Sequence, residues 1–464
     1  MATKASLKTP KGTRDWVGQN VHLRDDILRT ITTVLERHGG TPFDTPVFEL
    51  RSILAEKYGE ESRLIYNLED QGGEACSLRY DLTVPFARWL STRSDVQHVK
   101  RYQVANVYRR DQPVISRGRL REFYHGHLRP MIPDAEILCI IAEVFEALKI
   151  GVTVKLNDRK VLDGLFEVAG VSTDKVRTVS SAVDKLDKAP WDEVRKELLE
   201  KGLSDEVADR VGSYVQRSGE LREMIKRLES DAELATNARL GGGLADMKLL
   251  ASYLEAMDVA DKVSFDLSLA RGLDYYTGLI YEVVVVEDND GQSPPPQVGS
   301  IAAGGRYDDL VGMYGWRPLP CVGLSFGIDR IFTLLDARRK KKQKSGGPDL
   351  RVQAEVYIMA FGDGDGFDGL LTERMRVARQ LWSAGVRAEF SAKVRPKPQE
   401  QFNASDGVPV AVILGQEELE AGQVRVKRLH VGDRNVQVKD KGQLVPMEGL
   451  VAEVKKLLAS TASD

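Results

Sequence analysis

Between residues 336 and 350 the sequence reads DARRKKKQKSGGPDL, a cationic run that passes into Gly-Gly-Pro. Clustered like charges followed by residues that interrupt regular backbone resist burial, so no single core is expected to extend through this segment. The chain should divide there, with 336–350 as a linker and 351–464 as a module of its own. A length of 464 residues exceeds what one ordinary core holds and agrees with several compact units.

The module beyond the linker alternates between strand and helix patterns. AEVYIMA (354–360) and VPVAVILG (408–415) read as buried strands. Between them, Leu371, Met375, Ala378, Leu381 and Trp382 recur at helical spacing, which predicts an amphipathic helix stopped by Gly385. VRVKR (424–428) and NVQVK (435–439) form a charged strand pair, and Leu450, Val454 and Leu457 mark a last helix. This is a small α/β domain of a size common in accessory modules.

Upstream, helices such as DAEILCIIAEVFEALKI (134–150) alternate with the strand-like runs VKRYQVANVYRR, GLIYEVVVVED and CVGLSFG, the pattern of a large α+β domain. Residues 159–262 are lysine- and glutamate-rich, helical in period and poor in strand signals, so they read as a helical insertion. The insertion splits the α+β domain into 1–158 and 263–335.

Composition narrows the class of function. Hydrophobic residues at 42% and charged residues at 29% describe a soluble globular protein, and no window holds the roughly 18 uninterrupted apolar residues of a membrane span. The opening MATKASLKTPKG has no apolar stretch, which argues against a secretory signal and makes the cytoplasm the expected location, with organellar dual targeting left open. Cys76, Cys139 and Cys321 lie far apart without paired spacing, suggest neither a disulfide framework nor a zinc knuckle, and read as reduced packing residues. A net charge of −3 excludes a uniformly basic nucleic-acid binder and confines any RNA contact to local patches. RRKKKQK (338–344) is one such patch, although charge runs usually face water as solvated linkers.

Four segments carry chemistry. In KRYQVANVYRRDQPVISRGRLREF (100–123), a strand, a Pro113-centred break and a second strand bring Arg109, Arg119 and Arg121 to the inner edges, where planar guanidinium groups can grip phosphate oxygens in pairs. Surface arginine is common, and the same spacing also suits a solvated cationic hairpin. In PCVGLSFGIDRIF (320–332), a buried strand leads through Gly327 into a helix with Arg330 in its first turn, which lets an anion approach the backbone and be neutralised. No GxxxxGK[ST] loop occurs, so any ATP site is not of Walker type. SLARGLDYYTGLIYEV places the cation Arg271 before Tyr275 and Tyr276, suited to a pocket for a small polar ligand and equally to strand aromatics. AAGGRYDDL (302–310) adds Gly304, Gly305 and Arg306, whose glycines allow close backbone approach.

Together these segments resemble the signature set of class II aminoacyl-tRNA synthetases, and specifically the histidyl-tRNA synthetase family of eukaryotic type. KTPKGTRDW resembles that family's opening, and Pro46 in TPFDTPVFEL sits where its dimer motif has a proline. YRRDQP with RGRLREF resembles motif 2, GLSFGIDRI motif 3, and ARGLDYYTGLIYE with AAGGRYDDL the two histidine-specific signatures. The resemblance implies an antiparallel-sheet catalytic domain with a helical insertion, a C-terminal α/β anticodon-binding domain and a homodimer. It also implies ATP with Mg2+, L-histidine and tRNA(His) as substrates and partners, no membrane, and two steps: adenylate formation and acyl transfer to the tRNA.

By the same resemblance, Arg109 holds the α-phosphate and substrate carboxylate, Arg119, Arg121 and Arg330 belong to the ATP site, and Phe123 stacks on adenine. Arg271 takes the electrophilic role, so Arg271 and Arg109 are the expected catalytic residues. Asp81, Leu82 and Thr83 in LRYDLTVPF match the positions that receive the histidine amino group, and Tyr275 and Tyr276 wall its imidazole. Asp-Leu-Thr-Val-Pro is also an ordinary helix start. No metal-ligating protein cluster is implied.

The chain departs from the family after REFY. A Gln-Cys-Asp-Phe-Asp-like string is replaced by His125-Gly126-His127-Leu128-Arg129-Pro130, about six residues short. Exchanging an amide and a carboxylate for an imidazole and a guanidinium facing an ammonium group costs several kcal/mol at a desolvated site, so weakened histidine binding is expected. The alternative function is a catalytically silent synthetase-like protein that senses histidine or uncharged tRNA. Retention of the triphosphate arginines favours the enzyme.

Overall fold

A computed structural model describes residues 7–55, 64–69, 72–93, 95–96, 98–110, 122–128, 132–270, 276–286, 299–314, 319–342, 354–362, 367–429 and 442–461, with backbone alone at 55, 122–128, 341–342 and 461. The chain forms two units, Met1–Gly347 and Pro348–Asp464.

The first unit opens with α1 (Gln19–Arg37), β1 (Thr41–Pro42), β2 (Phe48–Leu50), α2 (Arg51–Ala55), β3 (Cys76–Leu78) and α3 (Thr83–Ser91). It continues through β4 (Arg101–Tyr108), β5 (Glu122–Leu128), α4 (Ile132–Ala147) and β6 (Val152–Asp158). A helical stretch follows: α5 (Arg159–Ala169), α6 (Val176–Val183), α7 (Trp191–Glu200), α8 (Asp205–Val215), the short β7 (Ser218–Gly219), α9 (Leu221–Glu229) and α10 (Ala238–Ala256). The chain then returns to the sheet as β8 (Val263–Asp266), β9 (Leu279–Val285), β10 (Ala302–Arg306) and β11 (Val322–Phe326), and closes with α11 (Ile328–Lys342).

Among the described residues, nine strands make one sheet in the order β1-β4-β5-β11-β10-β9-β6-β8-β7. Its centre is antiparallel, from the β4–β5 pair to the β9–β6 pair, and the parallel pairs β1–β4 and β6–β8 lie toward its two ends. The centre admits little beyond backbone: a Cβ on Gly304 would stand 1.9 Å from the Gly323 oxygen and 2.4 Å from the Tyr281 hydroxyl oxygen, and Tyr281 donates to that same carbonyl. The glycines of AAGGRYDDL thus serve close approach, since a Cβ on Gly305 would likewise meet the Leu279 carbonyl and the ring of Tyr276, just before β9. Gly304→Ala is expected to lower stability by more than about 3 kcal/mol, because the neighbour that must yield is backbone. Urea unfolding of the variant reads the effect, and an unchanged midpoint would contradict it.

Packed against the sheet, α4 is apolar nearly all round, and α1 lies against both α4 and α11. The helical stretch is fixed by local caps. Asp158 accepts from the Lys160 amide at the start of α5, Ser204 from Val207 before α8, and Asn237 from Leu240 before α10. Asp158 is wholly buried, and its second carboxylate oxygen has no hydrogen-bond partner. Burial pushes its carboxyl up to about 6 from the usual 3.8, with the Lys160 amide opposing. A raised folded-state value adds stability below the ordinary value that is lost as pH rises through the folded one. Asp158→Asn keeps the cap and removes the titration, so wild-type stability relative to that variant is expected to fall by ~2–3 kcal/mol between pH 4 and 7. Parallel pH profiles of the two proteins would contradict this.

The segment expected to be linker begins later than its charge suggests. Residues 336–342 are still α11: Arg338 donates to the Lys149 carbonyl beyond α4 at 2.6 Å, and Arg339 to Asn20 at 2.7 Å and Asp336 at 2.7 Å. The cations satisfy the end of one helix and the start of another, which composition alone does not convey. Residues 343–353 lie outside the described residues.

The second unit holds β12 (Val356–Ala360), α12 (Leu371–Ser383), β13 (Ala388–Phe390), α13 (Pro398–Ala404), β14 (Val410–Leu414), α14 (Gln416–Glu420), β15 (Gln423–Arg428), β16 (Gln443–Pro446) and α15 (Leu450–Thr461). Its sheet runs β13-β12-β14-β15-β16, parallel among the first three strands and antiparallel in the β14–β15 and β15–β16 pairs. Strand β15 pairs with 443–446; residues 435–439, expected as its partner, lie outside the described residues. The buried face of α12 also differs from the apolar pattern. Met375 and Trp382 are 54% and 49% exposed, whereas Arg374 is fully buried beside Val377, Ala378 and Leu381. The Arg374 guanidinium donates to the carbonyls of Gly369, Ser391, Lys393 and Val394, so a hydrogen-bonded cation takes a place that periodicity assigned to methionine. Gly385, at φ 78°, ends the turn after α12.

Candidate active site

Strand β4 and the turn at 79–83 are laced together. The Arg79 side chain donates to the Asn106 carbonyl at 2.7 Å, the Tyr108 amide donates to the Arg79 carbonyl at 3.0 Å, and Arg109 Nε donates to the Tyr80 carbonyl at 3.1 Å. The Arg109 guanidinium also lies 4.1 Å from the centre of the Tyr80 ring. Arg109 is thereby brought to the turn that carries Asp81, Leu82 and Thr83.

Within that turn, Asp81 Oδ1 accepts from the amides of Thr83 at 3.1 Å and Val84 at 3.0 Å, which caps α3. The helix-start reading of Asp-Leu-Thr-Val-Pro thus describes what the Asp81 carboxylate does locally. Leu82 is buried with Ala105 and Val107, so a ligand contact there would use its backbone. Thr83 is buried as the first residue of α3.

Beneath the turn lies Arg101, which the motifs did not single out. It is 2% exposed, its guanidinium sits 3.9 Å from the centre of the Phe86 ring, and its Nη2 donates to the Leu82 carbonyl at 3.3 Å. Nε and Nη1 have no hydrogen-bond partner. Burial pushes the group down to about 10, with Tyr307, Cys321 and Asp81 opposing. In the sheet register Arg101 stands opposite position 127, inside the segment 125–130 expected above to depart from the family. Strand β5 nevertheless keeps its place, with His125 opposite Gln103 and Gly126 opposite Leu324.

The second half of the site is built around Arg306. It pairs with buried Asp134 at the start of α4 and with Asp308 at 3.0 Å, while its carbonyl accepts from the Thr277 amide at 2.8 Å. Asp308 also accepts from the Cys321 amide at 3.0 Å, and its own amide donates to Thr277 Oγ1 at 3.0 Å. Burial pushes the Asp134 carboxyl up to about 6, with the Arg306 guanidinium pulling the other way. Through these bonds AAGGRYDDL fixes Thr277 and the half-buried Tyr276, whose ring occupies the space left by Gly305. The signals that could have found this network are the acidic pair after Arg306 and Asp134 in PDAE, neither of them singled out from the sequence.

At the other end, Arg330 Nη1 donates to the Ser300 carbonyl and reaches Ser300 Oγ at 3.2 Å. Its neighbour Asp329 pairs with Arg14 at 2.6 Å, and the Arg14 guanidinium lies 3.9 Å from the centre of the Trp16 ring, so the opening TRDW is tied to GIDRI. Arg119, Arg121, Arg271 and Tyr275 lie outside the described residues, as does the side chain of Phe123, whose backbone stands opposite Val107.

A family model described as histidyl-tRNA synthetase matches residues 12–331, and one described as an anticodon binding domain matches residues 355–457. The chain belongs to the histidyl-tRNA synthetase family. It is 47% identical to the mitochondrial histidine–tRNA ligase of Saccharomyces cerevisiae over 99% of this chain and 88% of that protein. The cytoplasmic histidine–tRNA ligase of Dictyostelium discoideum is 46% identical over 92% of this chain and 88% of its own length. A crystal structure of histidyl-tRNA synthetase from Nostoc sp. PCC 7120 superposes with a TM-score of 0.76 at 27% identity, covering 98% of this chain and all of that one. Membership of the histidyl-tRNA synthetase family accounts for the antiparallel sheet and the separate C-terminal α/β unit, as the motifs implied.

Proposed function

We propose that the chain is an ATP-dependent histidine–tRNA ligase that forms histidyl-adenylate and transfers the histidyl group to tRNA(His). In the first step a histidine carboxylate oxygen attacks the α-phosphorus of ATP and pyrophosphate leaves. In the second, the terminal ribose hydroxyl of the tRNA takes the acyl group and AMP leaves. Both pass through states with more negative charge around phosphorus or the acyl oxygen, which fixed cations in a water-poor site stabilise. The observation that carries the reading is the joining of Arg109 to the turn at 81–83 through Tyr80, within a sheet whose other motif, at 276–278, is held by Arg306.

In this reading Arg109 and Arg271 are catalytic, meeting the carboxylate and the α-phosphate. Asp81 and Thr83, with the Leu82 backbone, receive the amino group, and Tyr275 and Tyr276 flank the imidazole. Arg119, Arg121 and Arg330 meet the outer phosphates, and Phe123 stacks on adenine. Magnesium would enter bound to the ATP phosphates, as this ion usually does. Among the described residues, the His/Cys/Asp/Glu trio grouped closely enough for an ion contains a thiol and an imidazole, a poor fit to magnesium. No step is therefore assigned to a protein-held magnesium ion.

The C-terminal unit reads the tRNA anticodon, the enzyme works as a homodimer through the region of Pro46, and its place is the cytoplasm. No described helix is long and apolar enough to cross a membrane. Charging assays with radiolabelled amino acids test the function: label is expected in tRNA(His) with L-histidine and ATP and with no other amino acid. A folded chain that charges another amino acid, or none, would overturn it.

A further inference from the structure

Helix α1 ends at His38, and its imidazole meets one face of α4. Cys139 and Glu143 are one helical turn apart on that face, so their side chains lie side by side. His38 Nε2 and Glu143 Oε1 are 3.1 Å apart, and Cys139 Sγ donates to the same oxygen at 3.7 Å. All three ligand atoms fall within 4.8 Å of one another, and His38, Cys139 and Glu143 are the trio of this kind among the described residues. We propose that His38, Cys139 and Glu143 form a binding site for a zinc-class divalent cation that clamps the end of α1 to α4.

The donor set selects the ion. One imidazole nitrogen, one sulfur and one carboxylate oxygen suit zinc(II) or cobalt(II), whereas magnesium and calcium require oxygen donors. The surroundings match a ligand histidine as well: the other ring nitrogen, His38 Nδ1, faces Glu136 Oε1 at 3.4 Å, and that carboxylate is held by Lys100. A carboxylate behind the imidazole fixes the tautomer that leaves Nε2 to bind metal. Glu143 is itself oriented by Arg37, 2.9 Å from Oε2, which leaves Oε1 directed at the imidazole and the thiol.

In the metal-free chain the Cys139 thiol donates to Glu143 Oε1, the same oxygen that His38 Nε2 faces. Metal entry releases that proton and forms a metal–sulfur bond, with the imidazole lone pair and Glu143 Oε1 as the remaining protein ligands and water completing a tetrahedron. The ion's two positive charges are then balanced by the thiolate and by Glu143. Cys139 and His38 are only half-buried, so an ion reaches them from solvent. The site lies along α4 from Asp134, five to nine residues on, or roughly 7–14 Å at helical rise. It is separate from the network around Arg306 and therefore from the chemistry proposed above. No motif pointed to it, because His38 and Cys139 are far apart in sequence and meet only through the packing of α1 on α4.

Titration of the full-length, chelator-treated chain with cobalt(II) tests the proposal. Expected are a saturating thiolate-to-cobalt charge-transfer band and the strong visible bands of a tetrahedral ion, at one per chain, all displaced by zinc(II). Cys139→Ser should abolish the charge-transfer band, and His38→Gln or Glu143→Gln should each weaken cobalt binding by ~10-fold or more. Zinc should raise the thermal midpoint of wild type and not of Cys139→Ser, with both melting alike in chelator. If Cys139→Ser does not fold, the two other variants decide alone. A charge-transfer band that persists in Cys139→Ser, unaltered affinity in the His38 and Glu143 variants, or no saturable cobalt uptake would each overturn the site and leave the cluster as an ion-pair network only.

Discussion

Arg109→Ala is expected to lower kcat for histidine-dependent pyrophosphate exchange by about 10^2–10^3-fold while the thermal midpoint moves little. A cation aimed at charge that develops during attack stabilises the transition state more than the bound substrates, so the loss falls on kcat rather than on KM. The Tyr80 carbonyl accepts from Arg109 Nε and the Tyr80 ring lies against the guanidinium, contacts that orient a side chain which stays half-buried. Lysine at this position should recover little, since it lacks the planar fork that meets a carboxylate and a phosphate together. Steady-state exchange kinetics with varied histidine check the split; a rise in KM alone would move Arg109 from the reacting atoms to simple binding.

The second large effect is on stability. Arg306 and Asp134 form an ion pair with side-chain exposures of 7% and 0%. Arg306→Met leaves the Asp134 carboxylate buried without its cation, and Asp134 Oδ1 already has no hydrogen-bond partner. Removing one member of such a pair costs about 3–5 kcal/mol, whereas replacing both members by well-fitting neutral groups costs much less. The expected result is therefore a severe loss for Arg306→Met and a substantial recovery in Arg306→Met/Asp134→Asn, read by urea unfolding as a double-mutant cycle. Additive losses would show that Arg306 acts through Asp308 and the sheet rather than through Asp134. The same substitution should loosen Tyr276, because the Arg306 side chain holds Asp308, whose amide donates to Thr277 Oγ1.

Much of this architecture was legible in the sequence, and the reason is locality. The alternating runs at 101–108, 279–285 and 322–326 are strands, and the helical period of 134–150 is α4, because side-chain periodicity is a property of neighbouring residues. Motif order gave the family. What stayed hidden depends on contacts between distant segments. Arg306 meets Asp134 across 172 positions, and Arg338 and Arg339 bind the ends of α4 and α1 instead of opening a linker. Arg374 displaces Met375 from the face of α12 because four carbonyls converge on its guanidinium. Gly304 and Gly305 were legible as sites of close backbone approach, but their neighbours, the Gly323 and Leu279 carbonyls and the rings of Tyr281 and Tyr276, were not.

Arg101 joins these cases and bears on the rewritten strand. Its buried guanidinium, with Nε and Nη1 unpartnered, stands opposite position 127 in the sheet register, a placement that only strand pairing reveals.

Histidine-dependent exchange of labelled pyrophosphate into ATP by the full-length chain tests the central claim most directly, because it reads adenylate formation without the tRNA. The account predicts exchange that saturates with L-histidine, requires magnesium and is absent with the other amino acids. A folded chain that binds histidine but shows no histidine-dependent exchange would contradict it.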